Sequence, residues 1–486
     1  MSTLKFKQPP GFYPISVGEM CERFSYYGAQ SLLVLYVTHT FNLSDDKSYA
    51  LYATFAALAY ALPILGGILA DRFLGLKQTI ISGGMLIIVG NFVMGIPRLS
   101  CFYIGLALTT CGVGLYKPNS TSLVGKLYDF HSPQRESGFT LFYIFMNIGA
   151  SLSPIVYGFT EKIGYHYAYL ISSIILFCSW AVFLFNMHRI KPLKKSHLTH
   201  FSLARKISSY VFMVILGFAV YLLFIYPILV NSFFLLFALF ILLWLIMTLE
   251  KCMPAERLRL IALLVLCVFN MVYFAVSLQV GSSINLFIER QINKTLFGWE
   301  IPTVMFTALS PLSIIIAAPF IIKIWAFLAA RNQEPTPPTK IMIGLLLAGV
   351  SFLLFALAAL NSGSSSSLMP LIWILLGNLA LGTGELCLTP TMFAAISRFA
   401  PHNLQSTMMG IFFLFIAFGS YLSGFLANLN KYININTDIT RKWLENGIYL
   451  QNFLVIAVLT LLIASFLYFL TPWIKTKLET ANPRID

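Results

Sequence analysis

Charge is scarce in this sequence. Of 486 residues, 10% are charged and 58% are apolar, whereas a soluble chain carries about 25% charged residues; a soluble globular protein is excluded. The alternation of apolar and polar residues that lipid-facing barrel strands need is absent too. In its place stand unbroken apolar runs of about 20 residues, the length that carries a helix across a bilayer core of roughly 30 Å. Signatures of chemistry are also missing. There is no G-x-x-x-x-G-K-[ST] phosphate loop, no H-E-x-x-H, no G-x-S-x-G elbow and no C-x-x-C among the seven cysteines, which read as inert core residues. Neither an enzyme nor a nucleotide-driven pump is implied, and no cofactor or metal is expected. Acid is the scarcer sign, with 18 Asp+Glu against 32 Lys+Arg and a net charge of +14. No basic stretch is interleaved with aromatics, so nucleic acid is not an implied partner, and the excess suits the cytoplasmic ends of membrane spans.

Apolar runs between polar punctuation predict spans near 12–40, 48–70, 78–97, 101–125, 137–160 and 166–188. A second set lies near 257–289, 301–327, 340–361, 368–398, 405–429 and 446–472, and two further runs, 207–227 and 229–250, lie between the sets. The fold class is therefore an all-α membrane protein of two six-helix bundles plus an inserted two-helix hairpin, fourteen spans in all. The expected domains are 1–188, a basic loop and hairpin over 189–256, and 257–486. Residues 1–11 are short and polar and no cleavable leader is read there, so both termini are expected in the cytoplasm. With that orientation only Lys47, Arg98, Lys162, Arg290, Lys294, Lys431, Arg441 and Lys442 fall on the outer side, an asymmetry that obeys the positive-inside rule. The halves read as parallel repeats: Gly66–Gly75, which contains Asp71 and Arg72, occupies the place that Ala317–Ala326 occupies in the second half.

An ionised side chain at mid-bilayer costs about 2.5–3.5 kcal/mol on insertion scales, so each one within a span is a candidate for function. Glu19, Glu22 and Arg23 lie within about one turn of the first span, two carboxylates around one guanidinium, and Tyr26, Tyr27 and Gln30 continue that face. The cluster carries a net charge of −1, which one proton would neutralise. The fourth span holds Lys117 and the tenth holds Glu385, each near paired glycines and a proline (Gly112, Gly114 and Pro118; Gly382, Gly384 and Pro390). Opposite charges on these two spans suit either a salt bridge or the two ends of a zwitterion. Asn147 is the amide of the fifth span most suited to a cavity, and Tyr60, Tyr273, Phe274 and Phe412 suit apolar pockets.

In combination, Glu19-x-x-Glu22-Arg23-Phe24-Ser25-Tyr26-Tyr27-Gly28, Tyr116-Lys117-Pro118-Asn119, Phe142-Tyr143-x-x-x-Asn147-x-Gly149 and Gly384-Glu385-Leu386 resemble the proton-coupled oligopeptide transporters of the major facilitator superfamily, in particular the bacterial dipeptide and tripeptide permeases. The resemblance implies symport of short peptides with protons by alternating access, in the inner membrane, with a single chain sufficing. It implies that Arg23 and Lys117 hold the peptide carboxylate, Glu385 and Asn147 its amino terminus, and Tyr26, Tyr27 and Tyr60 its backbone. Phe274, Gln279, Ser310 and Phe412 would complete the substrate site, while Glu19, Glu22 and Arg23 couple protons. The sequence departs from the family at Gln30 and Leu278, where many members pair an Arg with an acid, at Ser310 in place of Asn, and at Phe412 in place of Trp. Losing both members of the charged pair leaves no unpaired buried charge. Transport of another small substrate on the same fold, such as a modified peptide, a peptide-like drug or a small anion, is the alternative.

Overall fold

Helix starts and stops follow from local chemistry in a computed structural model that describes residues 8–128, 134–187, 203–362, 369–401, 405–429 and 448–479. The basic stretch over 189–202 and the outer cations Lys431, Arg441 and Lys442 lie outside the described residues, as do the side chains of Asp71 and Arg72. Helix α1 runs Phe12–Phe41 and is closed by Asn42 in the left-handed region (φ 52°), whose N–H returns to the Val37 carbonyl. There follow α2 (Asp45–Ala61), with two acids in its first turn, α3 (Pro63–Leu69), a short π-helical segment over Ala70–Leu74, α4 (Leu76–Met94), α5 (Leu99–Gly125), α6 (Gln134–Thr160) and α7 (His166–Asn186). The inserted hairpin is α8 (Leu203–Ile225) and α9 (Pro227–Lys251). The remainder comprises α10 (Pro254–Ser277), α11 (Ser283–Gln291), α12 (Leu309–Ala330), α13 (Pro337–Leu360), α14 (Met369–Phe399), α15 (Gln405–Ala427) and α16 (Ile448–Glu479). Prolines open α3, α9, α10 and α13, where the missing N–H costs nothing. Between α11 and α12 a two-stranded hairpin, β1 (Thr295–Leu296) and β2 (Trp299–Glu300), is the sole sheet among the described residues.

Among the described residues, 12 segments are long and apolar enough to cross a membrane. Helix α1, set apart by its three charges, and the 25-residue α9 bring this to the fourteen that the apolar runs predict. The second span is α2 with α3, and the span after the hairpin is α10 with α11.

The chain forms two compact units, one of Met1–Leu43 and Leu58–Pro227 and the other of Ser44–Ala57 and Ile228–Asp486. These divide the inserted hairpin at its turn, a different partition from the domain boundaries expected at 188 and 256. Within the first unit α8 lies on α5, and Tyr210 accepts a hydrogen bond from Gln78 at 2.9 Å. Within the second, the Phe234 ring of α9 stacks on Tyr421 of α15 at 4.4 Å.

Close glycine contacts recur in both units. A Cβ at Gly83 of α4 would meet the Gly112 carbonyl of α5 at 2.9 Å, and one at Gly112 would meet the Gly83 carbonyl at 2.7 Å. In the second unit Gly344 of α13 and Gly384 of α14 oppose each other in the same way, at 2.7 and 2.8 Å. Small residues that admit backbone to backbone contact are the usual cement between membrane helices, and here they bring the helices carrying Lys117 and Glu385 hard against their neighbours.

Candidate functional site

Three charges of α1 are buried completely or almost so: Glu19 and Glu22 are 0% exposed and Arg23 is 2% exposed. The i, i+4 spacing sets Arg23 Nη2 at 2.5 Å from Glu19 Oε1, while Arg23 Nε is 3.4 Å from Glu22 Oε2, an ion pair without hydrogen-bond alignment. The other Glu19 oxygen accepts a 2.5 Å hydrogen bond from the Ser120 hydroxyl of α5. Glu19 thus accepts a hydrogen bond on both oxygens, and Glu22 on neither. Breaking a buried pair leaves an uncompensated charge, so Glu19 reads as the fixed partner of Arg23 and Glu22 as the member whose protonation state can change at least cost to the fold. Gly149 of α6 lets that helix close on this turn, since a Cβ there would sit 3.2 Å from Arg23 Cβ and nearer still to the Met20 carbonyl.

The α5 side is shaped by Pro118. Its missing N–H frees the Gly114 carbonyl one turn back, and Gly66 of α3 packs directly against that oxygen. Asn119 returns the contact by donating to the Gly66 carbonyl at 3.1 Å. This locked turn carries Lys117, whose ammonium sits 4.2 Å from the centre of the Tyr60 ring and 5.7 Å from that of Tyr26, a cation–π arrangement. Tyr26 and Tyr27 meet edge to face at 5.2 Å. Asn147 is half-buried, and its amide nitrogen donates to the Tyr143 carbonyl of its own helix at 2.8 Å.

In the second unit Glu385 lies half-buried on α14, one residue past Gly384. Tyr273 is fully buried, and its hydroxyl donates to the Leu381 carbonyl at 2.5 Å, so it braces α14 from α10. Phe274 is 8% exposed and Phe412 0%; the latter meets Phe393 edge to face at 5.4 Å, as core aromatics do. Gln279 is fully buried with its amide spent on the protein: the nitrogen donates to the Ser423 and Ala275 carbonyls at 2.8 and 3.2 Å, and the oxygen accepts from Ser283 at 2.7 Å. Ser310 is half-buried at the start of α12 and its carbonyl accepts from Ser313 at 2.7 Å.

The first unit therefore gathers Glu19, Glu22, Arg23, Tyr26, Tyr60 and Lys117 of the expected site, and the second carries Glu385. Gln279 and Phe412 are committed to packing within the second unit. Ser120 escaped the sequence reading, although its place three residues after Lys117 puts it on the same helical face.

Comparison with known proteins supplies the family. A model described as the POT family matches residues 77–443. The chain belongs to the POT family. It is 30% identical to the uncharacterized transporter YclF of Bacillus subtilis (strain 168), over 87% of this chain and 88% of that one. It is 28% identical to the dipeptide and tripeptide permease B of Yersinia enterocolitica, over 98% and 97% of the two chains. Among solved structures, a peptide transporter POT in complex with sulfate superposes with a TM-score of 0.83 at 26% identity, covering 98% of this chain and 97% of the other. A POT family transporter in complex with 5-aminolevulinic acid gives 0.81 at 25% identity, covering 97% and 98%. This POT member is thus a multi-span membrane transporter of major-facilitator type, not an enzyme.

Proposed function

We propose that this chain imports di- and tripeptides together with protons by alternating access, from the inner membrane of the cell, as a single chain with both termini cytoplasmic. The observation that carries the reading is the asymmetric pair of buried carboxylates on α1: Glu19 is fixed by Arg23 and Ser120, while Glu22 has no hydrogen bond from protein. The three charged groups of α1 sum to −1, which one proton neutralises, and Lys117 acts on them from α5; a carboxylate that gains and loses a proton among compensating charges is what a proton carrier in a low-dielectric setting needs. In this reading Arg23 and Lys117 take the peptide carboxylate, Glu385 and Asn147 the amino terminus, and Tyr26, Tyr27 and Tyr60 the backbone between. Charged ends common to all short peptides support broad selectivity. The relative named dipeptide and tripeptide permease B supports the substrate class.

The test is uptake of labelled dialanine into proteoliposomes under an imposed pH gradient. Gradient-dependent, saturable accumulation is expected; saturable uptake that ignored the gradient would remove the coupling. A wider range of zwitterions is a second reading, favoured by the similar transporter described with 5-aminolevulinic acid. Competition decides between them, since 5-aminolevulinic acid would block dialanine uptake only if the range is the wider one.

A further inference from the structure

Helix α7 has no part in the roles above, yet it meets Glu22 across a cavity inside the first unit. The lining of that cavity includes Glu22, Tyr116, Ser179 and Trp180, and the centre of a water molecule can range over about 10 Å³ within it, which is room for about one water. Two glycines of the lining let its walls close to this size. At Gly18 a Cβ would collide with the Tyr116 hydroxyl, and at Gly84 it would meet the Trp180 ring at 2.7 Å. The Trp180 indole is fixed as a wall by donating to the Ile81 carbonyl at 3.2 Å.

The Glu22 carboxyl beside this space has hydrogen-bonding capacity that the protein does not use. Glu22 is 0% exposed, and neither of its carboxylate oxygens receives a hydrogen bond from a protein group, a costly state for a buried acceptor. The Ser179 hydroxyl donates to the Leu176 carbonyl at 3.1 Å, which leaves its oxygen able to accept. A water needs two to four polar partners, and the Glu22 carboxyl, the Tyr116 hydroxyl and Ser179 supply three.

We propose that this cavity is a water-binding subsite in which one water, held by Tyr116 and Ser179, hydrogen-bonds the Glu22 carboxyl: it donates to the ionised form and accepts from the protonated one. The proposal rests on the reading of Glu22 as a proton carrier and deepens it, making Tyr116 and Ser179 positioning residues for coupling. Other charges act on Glu22 from α1, through Glu19 and Arg23, and from α5, through Lys117. The Cys21 thiol lies beside Ser179. The α4 and α7 lining residues bring no charged group. A water that donates to the carboxylate favours the ionised form, so its loss moves proton-dependent transport to higher pH.

The experiment measures dialanine uptake against pH in proteoliposomes, beside dialanine counterflow, for the full chain. Ser179→Val, which fills the space with methyl groups, is expected to raise the pH midpoint of driven uptake by about one unit, the effect of one hydrogen bond to a charged group, while counterflow stays within about twofold. Ser179→Thr, which keeps a hydroxyl, is expected to restore the original midpoint. Tyr116→Phe removes only an oxygen and is expected to move the midpoint the same way, so it carries the test should Ser179→Val fail to fold. An unmoved midpoint in Ser179→Val or Tyr116→Phe, or an equal shift in Ser179→Thr, overturns the water subsite. Gradient-driven accumulation in Glu22→Gln would instead overturn the reading of Glu22 on which the subsite rests.

Discussion

Replacing Glu22 with Gln isolates the proton from the fold. Gln has the shape of a protonated Glu and removes one negative charge, so the cluster of Glu19, Glu22 and Arg23 goes from −1 to zero and stays there. Arg23 is not orphaned, because its 2.5 Å contact with Glu19 remains, and Glu22 has no hydrogen bond from protein to lose. A stability change within about 1 kcal/mol is therefore expected. The transport consequence is much larger. One charge moving through 100 mV is worth about 2.3 kcal/mol, which supports roughly fifty-fold accumulation of a net-neutral peptide. In proteoliposomes held at that potential, the native chain should approach this ratio with dialanine, whereas Glu22→Gln should stop near equal concentrations while still exchanging peptide in counterflow. Glu19→Gln is the contrast: it strips Arg23 of its nearest partner and Ser120 of its acceptor, and should cost about 3–5 kcal/mol, visible as a lowered melting temperature in detergent. Undiminished accumulation in Glu22→Gln would refute the coupling role. Equal loss of accumulation and counterflow, with a fall in melting temperature like that of Glu19→Gln, would refute the division of labour between the two carboxylates.

The adjacent glycines of α3 should behave oppositely. A Cβ at Gly66 runs into the Gly114 carbonyl, whereas one at Gly67 has nothing within 4 Å, so Gly66→Ala should lose about 1–3 kcal/mol and Gly67→Ala almost nothing by thermal unfolding. Tyr60→Leu removes the aromatic face beneath the Lys117 ammonium, worth about 0.5–2 kcal/mol. It should weaken dialanine binding by up to about thirtyfold in a competition assay without changing the pH midpoint of uptake. Gln279→Leu leaves the Ser423 carbonyl and Ser283 hydroxyl without their partner, at a cost of about 1–3 kcal/mol. Its signature should be lowered thermal stability with dialanine affinity unchanged, the opposite of a residue that touches substrate.

What the sequence disclosed and what it hid divide along the range of the interactions. The charges of α1 were legible because Glu19, Glu22 and Arg23 share one helix, where spacing alone fixes their neighbours and the cost of burying charge in a membrane marks them out. The partner of Glu19 was not, because Ser120 lies 101 residues away and serine is common in spans. Its position one turn beyond Lys117 was the available signal. The water-sized space behind Glu22 depends on Gly18 and Gly84 admitting side chains of α5 and α7, a matter of packing that no local pattern encodes. Gln279 entered the expected site through family resemblance and Phe412 also as an aromatic suited to an apolar pocket; the structure adds that Gln279 hydrogen-bonds to α15 and that Phe412 packs against Phe393 of α14. The hairpin reads as one insertion because its runs are contiguous, but α8 and α9 find their partners in different units. The carboxylates also differ between units in a way that bears on mechanism. The first unit holds two buried acids with an arginine and a lysine close by, whereas the second contributes Glu385, half-buried on α14. A carboxylate among cations changes charge without stranding a bare ion, while a half-buried one is open to a cation that arrives with the substrate. In the proposed function the proton is accordingly given to Glu22, and the amino terminus of the peptide to Glu385.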